Sequence, residues 1–169
     1  VGCKEAVQPI HAPLPPLVNP PIPELAPPFE SRIINAEKGA ILSYETGSQV
    51  VIPPVALVDR AGNRISGEVE IAFREYHDAA SILLSGIPMN YDSAGVTSDF
   101  QTAGMFELRA FQVAKDSSSK EEIFLENGSL AQVNLASTET EDNYNFYRLD
   151  EQARGWQFEG QRSPEVNIK

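Results

Sequence analysis

Hydrophobic and polar positions alternate with a period of two along several short segments of this chain. The clearest case is residues 67–76, where apolar and charged side chains take turns: Val69, Ile71 and Phe73 against Glu68, Glu70 and Arg74. Successive side chains of a strand point to opposite faces of a sheet. The pattern therefore predicts a strand with one buried face and one wet face.

Residues 85–111 carry the same kind of pattern and are the most informative stretch. Two turn signals, Asp92-Ser93-Ala94-Gly95 and Thr102-Ala103-Gly104, separate short β-prone runs. The last run alternates and predicts a strand with two unlike faces: Met105, Glu107 and Arg109 on the polar face, and Phe106, Leu108 and Phe111 on the buried one. This stretch predicts a hairpin-rich domain.

Further strands are predicted from short apolar runs at 32–35, 40–44, 49–52, 55–58, 122–125, 131–135, 145–149 and 155–158. One or two helical turns are predicted at 77–84, with Asp78 near the N-terminus and Gly86 as the stop signal. Turn signals recur about every ten residues, and no helix of normal length lies between the strands. The predicted fold class is all-β, an antiparallel two-sheet β-sandwich.

The charge balance limits the classes of partner. The 169 residues include 13 basic and 24 acidic side chains, giving a net charge of -11. Such a chain repels phosphate backbones, and its basic residues are scattered singly, so nucleic acid is not an expected partner. The single cysteine, Cys3, permits neither an intramolecular disulfide nor a cysteine-based zinc site. No cofactor is predicted.

The first three residues, Val1-Gly2-Cys3, resemble the end of a bacterial lipobox, in which the cysteine is acylated and becomes the mature N-terminus. Several acyl chains hold a protein firmly on a bilayer where one holds it only marginally. The alternative is that Cys3 is an incidental thiol. Lys4-Glu5 loosely resembles the export signal of surface lipoproteins in the Bacteroidetes. The resemblance implies a lipid-anchored protein of the bacterial outer membrane or cell surface.

A proline-rich segment follows the cysteine. Residues 9–28 contain nine of the thirteen prolines, each of which fixes φ and removes a backbone donor. The segment is predicted to be a semi-rigid, largely polyproline II spacer. The predicted organisation is a lipobox remnant and tether over 1–30, a β-sandwich domain over 31–160 and a C-terminal extension over 161–169.

Two longer segments resemble known modules. The run Val50-Val51-Ile52-Pro53-Pro54-Val55-Ala56-Leu57, then Asp59 to Gly62 and Gly67-Glu68-Val69-Glu70-Ile71, is similar to the opening of ZU5-like β-sandwich modules. The run Ser85-Gly86-Ile87-Pro88-Met89, with Tyr91 to Gly95 and Thr102 to Glu107, is similar to modules of Bacteroidetes surface lipoproteins of unassigned function. The resemblance implies a ZU5-like or immunoglobulin-like fold. The His-Phe-Ser tripeptide of self-cleaving ZU5 domains does not occur, so self-cleavage is not implied.

Candidate chemistry is sparse. Asp92, Asp99 and Glu107 are candidate calcium ligands, since calcium takes carboxylate oxygens in irregular loops. The competing interpretation is that Asp92 simply begins a turn. His77 follows Glu75 by two residues, which predicts that the two side chains share a face. A local hydrogen bond is the expected role of that histidine, ahead of a catalytic or zinc-binding one.

The C-terminal quarter is rich in aromatic residues. Tyr144, Tyr147 and Trp156 are candidate ligand-binding residues, because exposed aromatic rings could stack on a sugar; core packing is the competing role. The predicted function is non-catalytic, a cell-envelope module that binds a protein or glycan or supports a further domain. The alternative is a carbohydrate-active or metal-dependent domain that uses the clustered carboxylates.

Overall fold

The computed structural model describes residues 15–93, 95–99, 101–113, 120–137 and 144–162, the side chains of Asp92, Ser93, Val96 and Arg162 excepted. Its strands are β1 Glu30–Asn35, β2 Ala40–Ser43, β3 Gln49–Ile52, β4 Leu57–Val58, β5 Glu68–Tyr76, β6 Asn90–Ser93, β7 Val96–Asp99, β8 Met105–Gln112, β9 Glu121–Leu125, β10 Gln132–Asn134, β11 Tyr144–Asp150 and β12 Gly155–Arg162. A helix, α1, spans Ala79–Ser85, and a 3-10 turn spans Pro23–Leu25. Within these ranges, no helix has the length and apolar character needed to cross a bilayer.

The described strands are arranged in several antiparallel sheets. A five-stranded sheet has the order β1-β5-β8-β9-β4, and a three-stranded sheet has the order β10-β3-β2. The hairpins β6-β7 and β11-β12 each form a two-stranded sheet. Every ladder between these strands is antiparallel, which confirms the predicted all-β class.

One hydrophobic core draws side chains from both larger sheets. The five-stranded sheet contributes Ile34, Leu57, Val69, Ile71, Phe73 and Ile123, and the three-stranded sheet contributes Val50 and Ile52. Tyr44, after β2, lies 4.4 Å from Phe73 between ring centroids. Burial of these apolar side chains is the main force that holds the two sheets together.

Strand β5 has the buried face that its alternation predicts. Val69, Ile71 and Phe73 are almost completely inaccessible to solvent. The opposite face is wet only at its beginning, because Ala72 and Tyr76 on that side are also buried. A single strand pattern could not indicate that the outer face is covered at one end.

In strand β8, one residue lies on a different face from the one predicted. Phe106 and Leu108 pack on the core as predicted, and Ala110 is the third residue on that face. Phe111 was predicted to be buried with them, but the period of two places it on the face of Glu107 and Arg109. There Lys120 Nζ lies 5.8 Å from the centre of its ring. The prediction for Phe111 was wrong because this residue lies three positions after Leu108, and residues on one face of a strand are two positions apart.

Helix α1 begins and ends as the sequence predicts. The Asp78 side chain accepts hydrogen bonds from the backbone N–H groups of Ala80 and Ser81, and the Ser81 hydroxyl completes a capping box. Gly86 follows in the left-handed conformation, with φ 68°. Both signals act through near neighbours in the chain, so they can be recognised without knowledge of the fold.

Strand β4 is shorter than the predicted 55–58. Val55 adopts a positive φ of 55° in the turn after Pro53-Pro54, and only Leu57 and Val58 pair with β9. The backbone N–H of Val55 donates to Ala36 O at 3.0 Å. A β-branched residue in the left-handed region is strained, and this hydrogen bond helps to hold it there.

The proline-rich segment differs from the predicted spacer in the part that the structure describes. Residues 15–29 contact α1, β5 and the turn after β11. Strand β1 already begins at Glu30, just before the predicted domain start, and β12 continues to Arg162, just past the predicted end. The folded unit therefore includes more of the N-terminal segment than the prolines suggested.

Candidate interaction site

An ion network lies on the outer face of the five-stranded sheet. Arg74 on β5 and Glu107 on β8 stand directly opposite one another in the ladder. Arg74 donates to Glu107 Oε2 from Nη2 at 2.6 Å and from Nε at 2.9 Å. Arg109 Nε donates to Glu107 Oε1 at 2.5 Å. Both carboxylate oxygens of Glu107 are thus bound by guanidinium groups, in a geometry that favours strong, charge-assisted hydrogen bonds.

Arg109 extends this network toward the C-terminal hairpin. Its Nη1 donates to Glu122 Oε1 on β9 at 3.0 Å, and its Nη2 donates to Glu151 Oε1 at 2.7 Å. One guanidinium therefore links three carboxylates from three parts of the chain. Planar guanidinium groups suit this role because their five N–H donors are fixed in one fork.

The pKa values of the network follow from this geometry. Burial by itself would raise the pKa of Glu107, but the hydrogen bonds and charges of Arg109 and Arg74 lower it overall. Burial by itself would lower the pKa of Arg109, and its carboxylate partners raise it overall. Glu107 and Arg109 are therefore both charged at neutral pH. Burial also raises the pKa of Tyr76, whose hydroxyl lies 3.4 Å from Glu107, to about 12.

An open groove of about 990 Å³ begins at this network; we name it the charged groove. Its walls come from the β4 turn, β9 and the end of β11: Val58, Asp59, Arg60, Gly62, Arg109, Glu122, Phe124, Leu125, Glu126, Asn127, Arg148, Leu149, Asp150, Glu151 and Gln152. Five carboxylates and three guanidinium groups line it. It presents positively and negatively charged groups around a small apolar floor at Phe124.

The apolar floor of the charged groove is partly open to solvent. Phe124 is 39% exposed and lies on the same face of β9 as Glu122. Leu125 is equally exposed but points to the opposite face, with Ile123. The guanidinium of Arg60 lies 5.8 Å above the Phe124 ring, at the distance of a cation–π contact. On the same side, Arg64 forms a bidentate ion pair with Glu126. This combination of an aromatic face and polar planar side chains suits an extended ligand that has both hydroxyl or amide groups and apolar edges.

The three aromatic candidates of the C-terminal hairpin are not on one face. Tyr147 and Trp156 share a face, since each is paired across the ladder with a residue of that face, Phe158 and Leu149 respectively. Tyr144 lies an odd number of positions from Tyr147 in the same strand and points to the other face. The structure therefore brings together two of the three predicted residues.

Tyr147 and Trp156 also have internal packing partners. The ring of Tyr147 lies 5.5 Å from Tyr91 and 5.5 Å from Phe158, measured between centroids. The indole Nε1 of Trp156 donates to Pro88 O at 2.7 Å. Both side chains are half-buried. These contacts dock the C-terminal hairpin against the segment around β6, which is a packing role.

The calcium candidates have separate surroundings where the structure describes them. Asp99 is exposed at the end of β7, Glu107 is held by two arginines, and the side chain of Asp92 lies outside the description. Among the described side chains, no three histidine, cysteine, aspartate or glutamate residues are grouped as metal ligands would be. A site formed by all three residues stays a prediction. Cys3 also lies outside the described residues.

His77 and Glu75 share a face, as their spacing predicts. His77 Nε2 lies 2.7 Å from Glu75 Oε2, and the same carboxylate accepts hydrogen bonds from Ser48 at 2.7 Å and Thr46 at 2.8 Å. Ser48 Oγ also accepts from Ala136 N at 2.8 Å. Because serine and histidine both bind the carboxylate and not each other, this arrangement ties three segments together and does not activate a nucleophile.

Comparisons with known proteins returned no matching family model, no matching curated protein and no matching solved structure. The groove was also missed by sequence reasoning. Its residues come from four separate stretches, and the local signal was the placement of Arg109 on the polar face of one strand. The pairing of β5 with β8, which brings in Arg74, was needed to find the network.

Proposed function

We propose that this chain is a non-catalytic module of the bacterial cell envelope, anchored through a lipidated Cys3, that binds a protein or glycan partner in the charged groove. The proposed fold is an antiparallel two-sheet sandwich of the ZU5-like or immunoglobulin-like kind. In support, one core is shared by the two larger sheets. The anchor rests on the resemblance of Val1-Gly2-Cys3 to a lipobox.

The observation that carries the binding proposal is the form and lining of the charged groove. It is open and lined mainly by charged side chains, and it includes one accessible aromatic ring, that of Phe124. Grooves of this character hold extended ligands by several hydrogen bonds and one or two apolar contacts.

The ion pairs favour binding over acid–base chemistry at this site. A carboxylate that acts as a general acid must be able to release and take up a proton near neutral pH. Glu107 has a lowered pKa and both oxygens occupied, and Glu122 and Glu151 are held by Arg109. The network keeps Glu107 charged and fixes all three carboxylates in place, which suits a rigid recognition surface.

The binding proposal can be tested with a matched pair of variants. Phe124→Ala removes the exposed ring from the floor of the groove, whereas Ile33→Ala removes an exposed apolar side chain, 56% accessible, from β1 outside the groove. Wild-type protein and both variants would be applied to a glycan array and to immobilised envelope proteins, with and without calcium. We expect binding that Phe124→Ala weakens about tenfold or more and Ile33→Ala leaves unchanged.

Two results would count against the proposal. Equal loss in both variants would place the binding surface elsewhere. A calcium-dependent hydrolysis product from a glycan would favour the carbohydrate-active alternative. The anchor is tested separately, by labelling cells that express the full precursor with a fatty-acid analogue: incorporation that Cys3→Ser abolishes supports it, and equal labelling of Cys3→Ser refutes it.

A further inference from the structure

We infer that residues 15–29 form a strap that belongs to the folded domain and directs the preceding residues to leave it beside the charged groove. We call these residues the N-terminal strap. The inference goes beyond the proposed function, because it concerns how the domain is oriented and not what the groove binds. Its consequence for the membrane rests on the proposed anchor at Cys3.

The first contact of the strap is with the turn of the C-terminal hairpin. Arg154 Nη1 donates to Pro15 O at 2.9 Å, across 139 positions of sequence. Arg154 follows Glu151 and Gln152, which line the charged groove. The earliest described residue of the chain is therefore held next to one wall of that groove.

The second contact is with Gly86 at the end of α1, where the strap lies so close that no side chain would fit on Gly86. Asn19 N donates to Gly86 O at 3.2 Å. A Cβ atom built on Gly86 would lie 2.1 Å from the carbonyl carbon of Asn19 and 2.3 Å from Pro20 N. These are backbone atoms, which cannot rotate away as the end of a side chain can. Glycine is needed here both for its positive φ and for the close approach of the strap.

The third contact covers the outer face of β5. Arg74 Nη1 donates to Pro27 O at 3.1 Å, and its guanidinium lies 4.2 Å from the centre of the Phe29 ring. Ala72 and Tyr76, on the same face of β5, are buried. The cation–π contact with Phe29 joins the strap to the ion network of Glu107.

The prolines lower the conformational entropy that the strap loses when it packs on the domain. Seven of the strap's fifteen residues are prolines, at positions 15, 16, 20, 21, 23, 27 and 28. Each has a fixed φ, so the free segment has less conformational entropy to lose when it binds. A proline-rich composition is thus as compatible with a docked strap as with a free spacer, and the contacts distinguish the two.

The position of the strap has a geometric consequence. If Cys3 is in the membrane, eleven residues separate it from Pro15, and the twelve steps from Cys3 to Pro15 span at most about 40 Å when fully extended. The end of the domain that carries the 151–154 turn and the charged groove then faces the membrane. A partner for the groove would be met close to the bilayer surface.

The strap is tested by comparing two glycine variants. Gly86→Ala and Gly62→Ala both place a side chain at a positive φ, 68° and 87°, but only the first meets the strap, since nothing lies within 4 Å of a Cβ on Gly62. The measurement is amide hydrogen exchange of Asn19, with the amides of β5 as a check that the domain is folded. We expect Gly86→Ala to speed exchange at Asn19 about tenfold or more. Gly62→Ala should leave it unchanged.

A second variant covers the case in which Gly86→Ala does not fold. Arg154→Ala removes the contact with Pro15 at an exposed position and should leave β5 protected while the strap's first residues become more accessible to protease. Unprotected exchange at Asn19 in the wild-type protein would overturn the strap outright. Equal exchange in wild type and in a folded Gly86→Ala would do the same.

The orientation is tested with the acylated protein on vesicles. Trp156, the chain's single tryptophan, lies next to the 151–154 turn and can transfer energy to dansyl-labelled lipid. Strong transfer in wild type and Gly62→Ala, reduced at least twofold in Gly86→Ala, supports the proposed orientation; equal transfer in all three refutes it. Failure of the acylated protein to bind vesicles would refute the anchor and leave the exchange result, and hence the strap, intact.

Discussion

Replacement of Glu107 by glutamine is the most direct test of the ion network, because it removes the charge and keeps the shape. Arg74 and Glu107 are mostly buried, with 12% and 18% of their side chains exposed. Removing one partner of a buried pair costs about 3–5 kcal/mol, since the other charge is left without compensation. Arg74 retains Pro27 O and the Phe29 ring, so we expect a loss of about 2–3 kcal/mol for Glu107→Gln.

The matched control is Glu126→Gln, which removes the partner of Arg64. That pair is far more exposed, at 35% for the glutamate and 62% for the arginine, so its loss should cost less than about 1 kcal/mol. The free energy of unfolding would be measured by urea denaturation at pH 7, with circular dichroism as the signal. An Arg74→Met, Glu107→Met double variant should recover part of the loss, because no buried charge remains unpaired.

The pH dependence gives an independent check on the same residue. The folded-state pKa of Glu107 is lowered, so its contribution to stability is present above the unfolded value, about 4.3, and is lost as pH falls through the lower folded value. Wild-type stability should fall over that acidic range more steeply than that of Glu107→Gln. Equal losses for Glu107→Gln and Glu126→Gln, or identical acid profiles, would refute the account of the network.

Three other changes follow from single residues. The buried hydroxyl of Tyr44 has no hydrogen-bond partner among the described residues, so Tyr44→Phe should leave the free energy of unfolding unchanged or raise it by up to about 1 kcal/mol; a loss beyond 1 kcal/mol in urea denaturation would contradict this. Burial raises the pKa of Tyr76 to about 12, so its contribution, on the order of 2 kcal/mol, is complete below pH 10 and lost between pH 10 and 12. Alkaline unfolding should be less steep in Tyr76→Phe, and absorbance at tyrosinate wavelengths should show one fewer late ionisation in Tyr76→Phe than in wild type, since the pKa values of Tyr44 and Tyr147 are also raised. Val55→Asn should raise the thermal midpoint, because asparagine tolerates a positive φ better than a β-branched residue does and adds less freedom to the unfolded chain than glycine would. An unchanged or lower midpoint would show that the turn is not strained.

The sequence was sufficient wherever a structural feature depends on residues close together in the chain. The strand of residues 68–76 follows from the alternation of apolar and charged side chains, and the faces of Val69 and Phe73 follow with it. The start and end of α1 follow from Asp78 and Gly86, which act on backbone groups a few positions away. The all-β class follows from the repetition of such short segments between turns.

The tertiary structure alone decided which polar side chains meet. Glu107 contacts Arg74, 33 positions earlier, and Arg109 contacts Glu151, 42 positions later. Strand alternation states that these side chains face outward, but the partner of each depends on strand order and register, which the local pattern does not encode. That Tyr147 and Trp156 share a face likewise became clear only from the ladder between β11 and β12.

The proline-rich segment shows most clearly which features follow from the sequence and which require the tertiary structure. Its composition determined that it is neither a helix nor a central strand, because proline lacks an N–H and fixes φ. Whether it extends away from the domain or lies on it depends on the surface available, here Gly86 at the end of α1 and Arg74 on β5. Those surfaces are assembled from residues distant in sequence, and for that physical reason only the folded structure could reveal the docking of the segment.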